Sequence, residues 1–246
     1  MRKILVLGLC ALCASSAAAE DKNGGWTVIE KERGIVVTTR EEPGRELPTF
    51  RGRGKIKAPL LHALAVVLDA EGATKWAVAI DEVKMLRPID EYTHLIYTRS
   101  HAAWPVSDRD MVVKRKVEVV KPGHEYKISI ICQPKGKEKG EVRKVVRVTQ
   151  CESHFNLKKV DENTTYADYQ VNLNPEGRLP TWLVKWASKR IPFDTLVNLE
   201  KHVGETKGKY ASEIRTWAAA EPASALSKAE KTEDSTKAAQ ATTETN

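Results

Sequence analysis

The chain has 246 residues, with 40 Lys and Arg against 33 Asp and Glu, a formal net charge of +7. That length suits one domain with a full core. The mild positive excess suits anionic lipid head groups better than nucleic acid, since no nucleic-acid motif or interleaved aromatic stretch is present in the sequence.

Taken in chain order, residues 1–19 read as an export signal. Arg2 and Lys3 form a basic start, Ile4 to Leu12 is an apolar run shorter than a membrane span, and Ala17-Ala18-Ala19 offers a cleavage site. Cys10 and Cys13 each follow a leucine, which disfavours a lipoprotein signal. The mature protein is expected to be soluble and periplasmic or secreted; removing Arg2 and Lys3 leaves +5 of the +7. At the other end, residues 221–246 are rich in Ala, Ser, Thr, Glu and Lys, a composition that reads as a disordered tail. The expected folded domain is residues 25–220.

Within it, Ile35 to Arg40 reads as a strand. In "FRGRGKIKAP", Phe50, Gly52, Gly54 and Ile56 alternate with Arg51, Arg53, Lys55 and Lys57, a strand with one basic face. "APLLHALAVVLDAEGATKW" has helical spacing. An antiparallel meander is expected next: Val83 to Pro88, Tyr92 to Ser100, Asp110 to Val120, Tyr126 to Gln133, Val142 to Thr149 continuing as Cys151 to Lys159, and Thr165 to Leu173. A helix from about Pro180 to Ala219 closes the chain, with Trp182, Leu183, Trp186, Phe193, Leu196 and Leu199 as its apolar stripe.

Cys132 and Cys151 are the only cysteines outside the signal. An oxidising compartment permits a bridge, but a simple hairpin register around "PKGKEKGE" places Cys132 opposite Val142. The pair then reads as two small buried hydrophobes. The six histidines show no ligand spacing and no metal or cofactor is expected; no catalytic residues are assigned, because neither a nucleophile elbow nor a phosphate loop is present.

One charge is out of place. From Met111 onward, Met111, Val113, Val117 and Val119 share the apolar face of a strand, and Arg115 falls among them. A buried, unpaired charge costs several kcal/mol in real proteins, on the order of the desolvation penalty of an ion, so this guanidinium needs a partner.

"WPVSDRDMVVKR" (Trp104 to Arg115), "GEVR" (Gly140 to Arg143) and "NPEGRLPTWLVKWASKRIPFDTLVNLEKHV" (Asn174 to Val203) resemble, in order, the motifs of the START domain, the steroidogenic acute regulatory protein-related lipid-transfer domain. The resemblance runs from about Gly25 to Lys209. It implies an α+β helix-grip fold, in which a curved antiparallel sheet wraps a long C-terminal helix around a hydrophobic tunnel for one lipid. It also implies a gate formed by the loop Ser100 to Asp108 and the start of the last helix, with Trp104, Trp182 and Trp186 as amphipathic side chains suited to docking on an anionic membrane.

Arg115 matches a position where sterol-binding members carry a buried arginine paired with an acid, yet Ile96 stands where that acid would be. Arg109 matches a phosphate contact of the phosphatidylcholine transfer protein, but the positions of that protein's choline cage are here Ser129, Arg147 and a residue near Val171. Choline lipids are therefore not implied. The expected tunnel lining is Arg115, Arg109, Met111, Val113, Val117, Ile128, Ile130, Phe155, Tyr169 and Val171, with Leu183 and Leu196 from the helix. The function expected is binding and transfer of one lipid by a monomer. The alternatives are a non-transferring sensor or partner-recruiting module, the latter using the tail or the basic face, and a helix-grip enzyme.

Overall fold

Gly52 and Gly54 explain how the helix comes to lie on the sheet. They sit in β3 (Thr49–Ile56), where every second residue from Phe50 to Ile56 is buried. A Cβ on Gly52 would stand 2.7 Å from the carbonyl oxygen of Pro192, so only a residue without a side chain lets the long helix that carries Pro192 reach the strand. Gly52→Ala is accordingly expected to cost about 1–3 kcal/mol, the usual range for overpacking. Urea unfolding checks this, and a loss well below about 1 kcal/mol would mean that the helix retreats freely.

The structure is a computed structural model that describes residues 24–220, apart from 46, 102–105, 135–138 and 178. The signal segment, the C-terminal tail and Trp104 lie outside the described residues. Among the described residues ten strands form one sheet: β1 (Thr27–Glu32), β2 (Ile35–Arg40), β3, β4 (Glu82–Asp90), β5 (Thr93–Ser100), β6 (Asp108–Lys121), β7 (Glu125–Cys132), β8 (Val145–Arg147), β9 (Gln150–Asp161) and β10 (Thr164–Asn174). Their spatial order is β1-β2-β3-β10-β9-β7-β6-β5-β4, so the last strand closes against β3 and joins the opening strands to the meander.

The inner face is filled by two helices. In α1 (Leu60–Leu68), Ala63, Leu64 and Val66 have no exposed surface, and seven of its nine residues are buried; it is apolar nearly all round because it is a core helix. A 3₁₀ turn follows (Glu71–Lys75). The helix α2 (Thr181–Glu205) packs on β3 through its second half, where Phe193, Leu196, Leu199 and Val203 are buried. Pro192 removes the amide that would bond the Ser188 carbonyl at the point where this burial begins.

Two expectations are corrected. The closing helix is interrupted: α2 stops at Glu205, residues 206–210 turn, and α3 (Ala211–Ala218) follows. The turn carries Gly208 at φ +82°, a conformation that favours glycine. Asp69, just after α1, holds this turn by accepting hydrogen bonds from Lys209 Nζ (2.9 Å) and Tyr210 OH (2.8 Å). Then α3 docks through Trp217, whose carbonyl accepts a 2.6 Å bond from Tyr126 OH and whose indole packs on the Tyr126 ring.

The second correction concerns the cysteines. Val142 to Thr149 is no hairpin arm; only Val145–Arg147 is a strand, and it pairs in parallel with the start of β6, off the main path of the sheet. With that segment diverted, β7 pairs with β9 in a register that sets Ile131 against Glu152. Cys132 and Cys151 are the next residues, and they form a disulfide with their Cα atoms 5.0 Å apart.

Candidate functional site

A cavity of about 210 Å³ lies between the sheet and the helices. Its walls come from β4, β5, β6, β7, β9 and β10, from the end of α1 and the 3₁₀ turn, from the segment Trp76 to Ile80, and from Ile191 and Thr195 of α2. On β5 the wall runs through Ile96, Thr98 and Ser100, and on β6 through Met111, Val113 and Arg115, the alternate residues of two paired strands. The cavity therefore extends along the strands, from the end near Ser100 to the end where Arg115 lies beneath the C-terminus of α1.

Seven of the expected lining residues stand in this wall: Arg115, Met111, Val113, Ile130, Phe155, Tyr169 and Val171. Phe155 and Tyr169 are stacked at 4.2 Å between centroids. The Tyr169 phenol bonds Ser153, and burial raises its pKa so that it keeps its proton.

The other five lie elsewhere. Val117 and Ile128 share the inward face, but they lie further along β6 and β7, where α1 fills the space, and they pack in the core with Leu64 and Val66. Leu183, on the less buried first half of α2, is absent from the wall; the helix reaches the cavity only at Ile191 and Thr195. Leu196 is fully buried in the same core as Val117. Arg109 is a tie between segments. Its guanidinium donates to the Ser107 carbonyl and, at 3.4 and 3.5 Å, to the carbonyls of Pro175 and Glu176, fixing the start of β6 against the turn after β10.

Sequence reasoning missed the segment Trp76 to Ile80 and the end of α1 with the turn after it, Val67, Ala70 and Ala73. Neither has strand alternation, and the apolar residues of a core helix give no sign of which end faces a hollow. Ala79 in that segment has a φ of +60°, uncommon for a residue with a side chain, and an alanine gives no sequence sign of such a bend.

Arg115 is 5% exposed. The β5–β6 register sets His94 opposite it, with Ile96 two residues further along β5 opposite Val113. Its Nη1 donates a 2.8 Å hydrogen bond to the Leu68 carbonyl, while Nε has no partner. Burial pushes its pKa down to about 10, so the guanidinium is still a cation at neutral pH; the charge of Asp69 opposes that shift. That carboxylate is already held by Lys209, Tyr210 and the Gly72 amide. Among the described residues Arg115 has no ion pair.

The first turns of α2 are exposed. Trp182 is 56% and Trp186 43% exposed, beside Lys185. Lys189 and Arg190, on the same stretch, pair with Glu30 and Asp194. Trp104, the third side chain of the expected docking set, lies outside the described residues.

A curved sheet closed on a long helix, with a mostly apolar hollow between them, is the helix-grip class of fold. The chain belongs to the START domain family, whose profile matches residues 7–209. It is 29% identical over 208 residues to an uncharacterized protein of Pseudomonas aeruginosa, covering 81% of this chain and 96% of that one. The crystal structure of a STAR-related lipid transfer protein fragment from Xanthomonas axonopodis is similar at a TM-score of 0.65 and 26% identity, over 73% of this chain and 99% of that one. The human StAR-related lipid transfer protein 5 shares the fold at a TM-score of 0.66 and 18% identity, over 75% and 89% of the two chains.

Proposed function

We propose that the protein takes up one lipid in this cavity and carries it between membranes. The observation that supports this most is the cavity itself: a mostly apolar hollow in a START fold, with one buried cation at its end. Burying apolar lipid surface at roughly 25 cal/mol per Å² supplies the affinity. Wall groups that titrate are Arg115, a cation at neutral pH, and Tyr169, held protonated; this fits a carrier better than an enzyme. The basic, apolar first segment reads as an export signal, which puts the exchange in the periplasm or outside the cell.

Docking would use Trp182 and Trp186, with Lys185 attracting an anionic surface. The test is lipid exchange between donor and acceptor vesicles containing phosphatidylglycerol, with mass spectrometry of the lipid bound to protein from its native compartment. Movement of a bound lipid class supports transfer. Bound lipid that never moves would favour the sensor. Trp182→Ser/Trp186→Ser is expected to slow exchange by about tenfold, equivalent to ~1.4 kcal/mol of interfacial binding, while cavity occupancy stays unchanged. An unaltered rate would remove α2 from the docking surface.

A further inference from the structure

The cavity holds a charge that no described residue neutralises. Arg115 is buried, its Nε has no partner, its one hydrogen bond goes to a backbone carbonyl, and His94 faces it across the strand pair. Asp69, the acid whose charge it feels, is engaged by Lys209 and Tyr210. A second wall residue, Trp76, also has a buried N–H without a partner. Guanidinium and indole nitrogens are donors only. The unsatisfied groups of Arg115 and Trp76 therefore call for an acceptor, and the positive charge calls for a negative one.

Resting on the lipid-carrier reading, we infer that the ligand is a single-tailed amphiphile with an anionic head, a carboxylate or a phosphate monoester, bound head inward at Arg115. The charge argues against a sterol or an uncharged lipid, which would leave the guanidinium buried without a counter-ion. The size argues for one tail: about 210 Å³ is below the roughly 300–1,000 Å³ of sites for drug-sized ligands, too little for two acyl chains. The apolar stretch between Arg115 and Ser100 then receives the tail, with Val113 and Met111 along β6 and Ile96 along β5.

The test is titration calorimetry of the whole chain below the critical micelle concentration, at pH 8 so that oleate is ionised. Probes are oleate, oleyl alcohol, 1-oleoyl lysophosphatidate, monoolein and dioleoyl phosphatidate. Oleate is expected to bind at least about tenfold more tightly than oleyl alcohol, and lysophosphatidate at least about tenfold more tightly than monoolein, the worth of a hydrogen bond to a charged group. Whichever anion binds more tightly identifies the head group. The preference should persist in 0.5 M salt, because a buried pair is screened little.

In Arg115→Met the charge preference should fall to about one, and circular dichroism should show a native melt, since an apolar replacement of a buried ion is often neutral. Equal binding of oleate and oleyl alcohol by the unaltered protein overturns the inference without any variant, and leaves lipid carriage standing. So does a preference that survives Arg115→Met. Competition by dioleoyl phosphatidate equal to that of lysophosphatidate overturns the single tail. Binding of none of the five would overturn the inference, and bound lipid of another class from the native compartment would still uphold carriage.

Discussion

Replacing Arg147 with leucine is expected to lower the unfolding free energy by about 3–5 kcal/mol, the cost of breaking a buried pair from one side. Asp110 is 1% exposed, and both its oxygens are gripped by the Arg147 fork, Oδ1 from Nε at 2.7 Å and Oδ2 from Nη2 at 3.0 Å. The remaining donor capacity of the fork goes to the carbonyls of Lys139 and Gly140, so the same side chain also pins the connection between β7 and β8. Leucine would leave the Asp110 carboxylate in a low-dielectric site with Tyr97 beside it. That phenol, its pKa pushed up to about 12 by burial and by the Asp110 charge, is a single neutral donor and does not replace a guanidinium.

At about 2–4 °C per kcal/mol for a domain of this size, the melting temperature should fall by roughly 6–20 °C. The companion variant Asp110→Asn/Arg147→Leu removes the stranded charge and should recover at least half of the loss. Equal instability of the single and double variants would show that packing of the Arg147 stem, not its charge, carries the effect.

That pair also shows where the sequence stops being readable. The central strands of the meander were legible because one face of each is buried, and the same alternation located Arg115. Ile96, standing where sterol-binding relatives carry an acid, pointed to a guanidinium without an acidic partner, and the structure adds the acceptor it does have, the Leu68 carbonyl. Alternation cannot separate Val113 and Ile130, which line the hollow, from Val117 and Ile128, which pack under α1. Both pairs face inward, and what decides between them is how far a helix distant in sequence extends over the sheet.

The three-residue strand β8 was illegible for another reason. It is held by a parallel pairing with residues 108–110 and by the Asp110–Arg147 pair, contacts across some 37 positions that leave no local period. Reading that segment as a hairpin arm shifted the assumed register and set Cys132 against the wrong partner. By contrast, the break after α2 did have a local sign, the two glycines of "GETKG", outweighed by the apolar spacing on either side.

Cys132→Ala/Cys151→Ala is expected to destabilise the fold by about 3 kcal/mol, from the closure entropy of a loop whose ends are 19 residues apart. The loop is the one that contains β8 and Arg147, so the bridge and the Asp110–Arg147 pair restrain the same segment, one at its ends and one in its middle. Their effects should therefore not add. With the bridge gone, the segment is freer to leave, and the further loss on Arg147→Leu should be smaller than in the bridged protein. Cys151 also stands in the cavity wall, with its sulfur 3.9 Å from Met111 Sδ, so the loss of stability should be accompanied by weaker lipid retention. Urea unfolding of the four proteins of the cycle, together with alkylation of the denatured chain before and after reduction, checks each step. Labelling of both cysteines without reductant would show that no bridge forms, and strict additivity of the two losses would show that the segment is not their common target.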